Sequence, residues 1–171
     1  MIKQSIFLLG ILLVSLTQSI SAQDIEIPED FDFEQQEDRD KYEAKVIEAI
    51  DWLEVTPVIK DQEKRKSVNA FVLKWILNTE KATIAIASFQ LKYFEKNSEL
   101  LLSFMGGWTK YSVEHPDKIE DQLLNNAAGF ESIKRVYSNN INNGMVKDKN
   151  VEKLLKMSDE KMLNMISKEI G

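Results

Sequence analysis

The sequence predicts an all-α, single-domain fold: an irregular antiparallel bundle of about five to seven helices. Three observations carry this expectation. Apolar residues recur at helical spacing from Tyr42 onward, helix start and stop signals punctuate the chain at Pro57, Ser98, Pro116 and Ser158, and no strand pattern survives in the C-terminal half. Length agrees, since 171 residues suit one domain with one substantial core.

The first element is not a bundle helix. Lys3 supplies a positive start, Ile6 to Leu16 an apolar run, and Ser19-Ile20-Ser21-Ala22 a small-residue exit, the three-part pattern of a secretory signal peptide over residues 1–22. The apolar run is well short of the roughly 20 residues that a spanning helix needs. The expected mature chain therefore begins at Gln23 and is exported, soluble, and either periplasmic or secreted. The absence of Cys excludes disulfides and a lipid anchor on cysteine, and no Asn-x-Ser/Thr acceptor occurs, so a bacterial origin fits best.

Residues 23–37 read as an acidic flexible leader, ahead of a helical domain spanning 38–171. Residues 23 to 43 hold ten acids against Arg39 and Lys41, whereas the chain from Lys45 onward is nearly neutral, with 19 bases and 18 acids. With Pro28 and only Ile25, Ile27, Phe31 and Phe33 as scattered apolar residues, the leader is expected to bury too little surface to become ordered. The Phe31/Phe33 pair is the one feature that would let it add as a strand or dock. Lacking a concentrated basic face, the chain is not expected to bind nucleic acid.

Helical periodicity then begins with Tyr42, Val46, Ala49, Ile50 and Leu53, with Asp38 or Asp40 placed to cap and Pro57 to terminate. Residues 60–79 form the next helix: Val68, Phe71, Val72, Trp75 and Ile76 make one stripe, and Lys64, Arg65, Lys66 and Lys74 populate the more polar side. Within Thr83 to Phe94, the run Thr83-Ile84-Ala85-Ile86-Ala87 is β-branched and alternating but short, and the stretch is expected to be helix or extended linker. Ser98 caps a helix carrying Leu101, Phe104, Met105 and Trp108, in which Gly106-Gly107 signals close packing or a bend. Pro116 starts a long helix whose Ile119, Leu123, Ala127, Phe130 and Tyr137 share a face, ended by the Asn-rich run up to Gly144. Two short helices follow, one through Val151, Leu154 and Leu155, the other capped by Ser158 and carrying Met162, Leu163 and Ile166. No period near 34 residues recurs, so a helical-repeat architecture is not expected.

Candidate chemistry is sparse. The single histidine, His115, stands between Glu114 and Asp117, and a hydrolase reading makes it a general base oriented by one of those carboxylates. An exposed residue ahead of a Pro-initiated helix is the simpler reading. Asp30-x-Asp32-x-Glu34 and Asn140-x-Asn142-x-Gly144 lack the Gly and bidentate Glu of a calcium loop, so no metal and no cofactor are expected. Trp75, Phe104 and Trp108 could line a pocket for an apolar ligand between helices, although their place on the buried stripes makes them core residues first.

The stretches Asn69-Ala70-Phe71-Val72-Leu73-Lys74-Trp75 and Glu99-Leu100-Leu101-Leu102-Ser103-Phe104-Met105-Gly106-Gly107-Trp108-Thr109-Lys110-Tyr111 resemble a family of small exported bacterial helical proteins of unknown function, over residues 45 to 168. That resemblance implies a shared helical fold and carries over neither an activity nor a functional residue. The sequence thus points to a non-enzymatic binding or envelope-assembly accessory protein with a protein partner, and no feature fixes its oligomeric state. The alternatives are a carrier of a small apolar ligand and a hydrolase using His115.

Overall fold

The computed structural model describes residues 24–171; the expected signal peptide lies outside the described residues. These fold into seven α-helices: α1 (Gln36–Val55), α2 (Gln62–Asn78), α3 (Ser88–Leu91), α4 (Glu99–Glu114), α5 (Gln122–Asn140), α6 (Lys149–Leu155) and α7 (Asp159–Ile170). The all-α bundle expected from the periodicity is the observed architecture.

Helices α4 and α5 form its axis. Gly107 is what lets them touch: a Cβ there would lie 2.6 Å from both the Ala128 carbonyl oxygen and the Ser132 Cβ on α5. Gly129 answers from the other side, where a Cβ would meet the Phe104 ring at 2.6 Å. The Gly106-Gly107 pair thus serves close packing within an unbroken helix. Around this axis the apolar side chains form two clusters. The N-terminal one joins α1 and α2 through Val46, Ile50, Phe71 and Trp75; the C-terminal one joins α3 to α7 through Phe104, Trp108, Phe130 and Tyr137.

The leader is corrected by this packing. Ile25 is 1% exposed and Phe33 0%, both inside the N-terminal cluster, and Phe31, Phe33 and Tyr42 all pack edge-on against the Phe71 ring. Side chains of the body hold its backbone: Arg39 Nη1 donates to the carbonyls of Phe33 and Glu34, each at 2.8 Å, and Lys74 Nζ to that of Phe31 at 3.0 Å. Asp24 pairs with Lys64 and Asp32 with Lys74. Composition misled because four well-placed apolar residues suffice when a body supplies the groove and the cations. The segment is a strap that completes the core, so the domain does not begin at residue 38. Ile25→Ala is expected to lower stability by about 2 kcal/mol, read as a urea-midpoint shift at unchanged m.

Three local expectations also shift. Helix α1 starts at Gln36, ahead of Asp38 and Asp40, and its N-cap Gln35 makes no side-chain cap bond. Pro116 opens only a 3-10 turn, Pro116–Lys118; the long helix begins at Gln122, where the Asp121 carboxylate accepts from the Leu124 N–H at 3.0 Å. The Thr83–Phe94 stretch has no regular structure up to Ala87, ahead of the short α3, and partly buried Ile84 packs against both clusters. Ser158 caps α7 as expected.

Candidate functional site

The residues singled out for catalysis are not assembled into a site. His115 is exposed, its ring stacks on Tyr111 at 4.2 Å, and its Nδ1 lies 3.0 Å from the Tyr111 carbonyl. Glu114 leans toward Lys110 at 4.0 Å and Asp117 toward Lys118 at 3.8 Å, so neither carboxylate orients the imidazole. His115→Ala should change stability by less than about 0.5 kcal/mol, as a thermal melt will report, because the side chain buries little. Among the described residues, no cluster of three or more His, Asp or Glu is placed to hold a metal.

Trp75, Phe104 and Trp108 are each 0% exposed but do not face one another across a cavity. Trp75 belongs to the N-terminal cluster and donates its indole N–H to the Arg39 carbonyl at 2.9 Å, whereas Phe104 and Trp108 pack edge-on in the C-terminal cluster. They are core residues.

The surface offers a cleft of about 450 Å³ beside the end of α1, next to the buried carboxylate of Glu54. That carboxylate is fully engaged. Arg135 on α5 approaches it with Nε at 2.7 Å and Nη2 at 2.9 Å, and the Ser132 hydroxyl donates at 2.5 Å. The Glu54 bond raises the Arg135 pKa above its ordinary value, against the opposing pull of burial. A bidentate pair so closed ties α1 to α5 and leaves no free base or nucleophile.

A different arrangement lies on the outer side of α2 and α4. Helix α2 turns Ala70, Leu73 and Leu77 outward at i, i+3 and i+7, with Leu77 71% exposed. Opposite Ala70 and Leu73, α4 presents Leu101, Leu102 and Met105, and these residues line a groove of about 270 Å³ that stops short of Leu77. Its polar mouth, of about 230 Å³, is lined by Gln62, Lys66, Arg65 and Glu99. Asn69 lines groove, mouth and a small void of about 10 Å³ beneath them, and its Oδ1 is buried without a hydrogen-bond donor among the described residues. Past the mouth, Ile59 packs over Gly144 and Val146 is held by Asn97 through two 2.9 Å bonds; both apolar side chains remain exposed.

The mouth is built around Arg65, only 4% exposed. Its Nη1 and Nη2 donate to the carbonyls of Thr56 and Leu53 at 3.0 and 3.1 Å, closing the C-terminal end of α1, and its Nε faces Glu99 on α4 at 3.4 Å. Burial pulls the guanidinium below its ordinary pKa while Glu99 pulls it back up, and the group stays charged. One side chain thus fixes the spacing of three helices at the groove.

Sequence reasoning missed this groove. Its signal was available, because Leu73 falls outside the α2 apolar stripe and Leu102 widens the apolar face of α4 beside Leu101.

The chain matches no family model, no curated protein and no solved structure. Fold and surface define a class only: an all-helical domain with an open apolar groove between two of its helices. No helix of the described residues is long and apolar enough to cross a membrane.

Proposed function

We propose that this is an exported, non-catalytic interaction module whose α2/α4 groove receives an amphipathic helix of a partner protein, in the periplasm or outside the cell. One observation carries the reading: an exposed apolar groove floor that contains a buried acceptor, Asn69 Oδ1, with no donor. Unpaired buried polar atoms cost about 1–3 kcal/mol, and a partner donating a hydrogen bond there removes that cost only when bound. A groove between two helices suits a third helix, read through apolar anchors at i, i+3 or i+4, and i+7. The charge at the mouth selects its polar side. Lys64 and Lys74 are engaged by Asp24 and Asp32, whereas Lys66 stays exposed at the mouth, which favours an acidic residue on the incoming helix.

The test places a photo-crosslinking amino acid at Leu73 of the native chain, identifies the adduct by mass, and measures binding of that purified protein. Leu101→Glu should weaken binding at least about tenfold, or 1.4 kcal/mol, with the melting temperature retained. Equal affinity of wild type and Leu101→Glu would sink the groove reading.

A further inference from the structure

The strap makes the timing of processing a structural question. Only Gln23 and Asp24 separate Ala22, the last residue of the expected signal peptide, from Ile25, which is 1% exposed in the N-terminal cluster. Asp24 is itself held by Lys64. With the strap docked, residues 23–25 give at most roughly 10 Å of free chain. The folded body is roughly 35 Å across, estimated from the compactness of a domain of this length. A body that wide on so short a tether would press against the bilayer holding the signal peptide, and a membrane-bound peptidase could not reach the Ala22–Gln23 bond.

With the strap undocked, residues 23–35 span roughly 40 Å, enough to hold the body clear. The make-up of the strap suits this second use. Its acids repel an anionic membrane surface and keep the spacer extended, and backbone-to-backbone hydrogen bonds first appear at Arg39, so release breaks side-chain ties and a few apolar contacts but no ladder.

We propose that residues 23–35 act first as a spacer that exposes the cleavage site, and that residues 24–35 become the core-completing strap only after the signal peptide has been removed. The proposal rests on the export reading of residues 1–22. The N-terminal cluster is then closed last, by Ile25 and Phe33 entering beside Phe71.

The experiment incubates full-length precursor with signal peptidase reconstituted in phospholipid vesicles. Precursor folded beforehand should be cut at Ala22–Gln23 at least about tenfold more slowly than the same chain diluted from urea at time zero, since cutting then waits on strap opening. A Gly/Ser spacer of about ten residues between Gln23 and Asp24 leaves the strap docked yet adds reach, and should bring the folded precursor within about twofold of the unfolded one. Equal rates for folded and unfolded wild type, or no rescue by the spacer, overturn the proposal. Failure of even the unfolded chain to be cut after Ala22 overturns the export reading itself, and the proposal with it.

Discussion

Gly107→Leu is expected to lower stability by about 4 kcal/mol and the melting temperature by about 10 °C, the largest effect of any single substitution considered for this chain. Two terms oppose each other. Leucine is a better helix former than glycine by about 1 kcal/mol, so an exposed site would gain. At Gly107 the added Cβ alone would lie 2.6 Å from the Ala128 carbonyl oxygen and 2.6 Å from the Ser132 Cβ, and the first of these is backbone that no rotamer change can move. Relief requires α4 and α5 to separate, which loosens Phe104 against Phe130, now 5.3 Å apart edge-on, and strains the Ser132–Glu54 bond. Gly106→Ala is the control. Its Cβ would meet the Ile50 Cγ2 at 3.2 Å beside a void of about 10 Å³, so the neighbour has room to give and the change should stay within about 0.5 kcal/mol of wild type. Matched urea melts of the two variants check both numbers. Similar losses at both positions would mean that glycine is needed for flexibility and not for helix approach.

The contrast explains how much of this fold was legible. Helices α1, α2, α6 and α7 follow from apolar spacing, because they bury one stripe each, and the starts of α6 and α7 also carry local side-chain caps, Asp148 and Ser158. The Gly106-Gly107 pair announced close packing, but the partner helix came from tertiary structure alone. The strap failed for the same reason. Phe31 and Phe33 are ordered by Phe71, Arg39 and Lys74, residues that a local window of an acidic segment does not weigh. The start of α5 was misplaced because Pro116 is a good first-turn residue, yet Asp121, five positions later, supplies the cap that holds. As for the candidate site, the aromatic residues that drew attention are core, and the groove is made of aliphatic residues whose exposure depends on how α2 and α4 are set apart.

That setting rests on Arg65, and Arg65→Met is expected to cost about 3 kcal/mol in stability. The guanidinium is the only group described that joins the Leu53 and Thr56 carbonyls of the α1 end to Glu99 on α4. Methionine keeps the apolar stem but leaves two carbonyl oxygens without a donor. Arg65→Lys should recover less than half of the loss, because one ammonium on a shorter stem cannot serve both carbonyls and the carboxylate. Glu99→Gln probes the other partner and should cost under about 1 kcal/mol, since the Glu99 side chain is 40% exposed and water screens the pair that it forms. Thermal melts therefore rank the variants Met below Lys below Gln. The groove adds a second readout, for Arg65→Met releases α1 from α4 at the mouth and should weaken helix binding together with stability, whereas Leu101→Glu should weaken binding alone. A reversed order, with Glu99→Gln the most damaging, would place the energetic weight on the ion pair and remove Arg65 from its role as the tie that sets the groove.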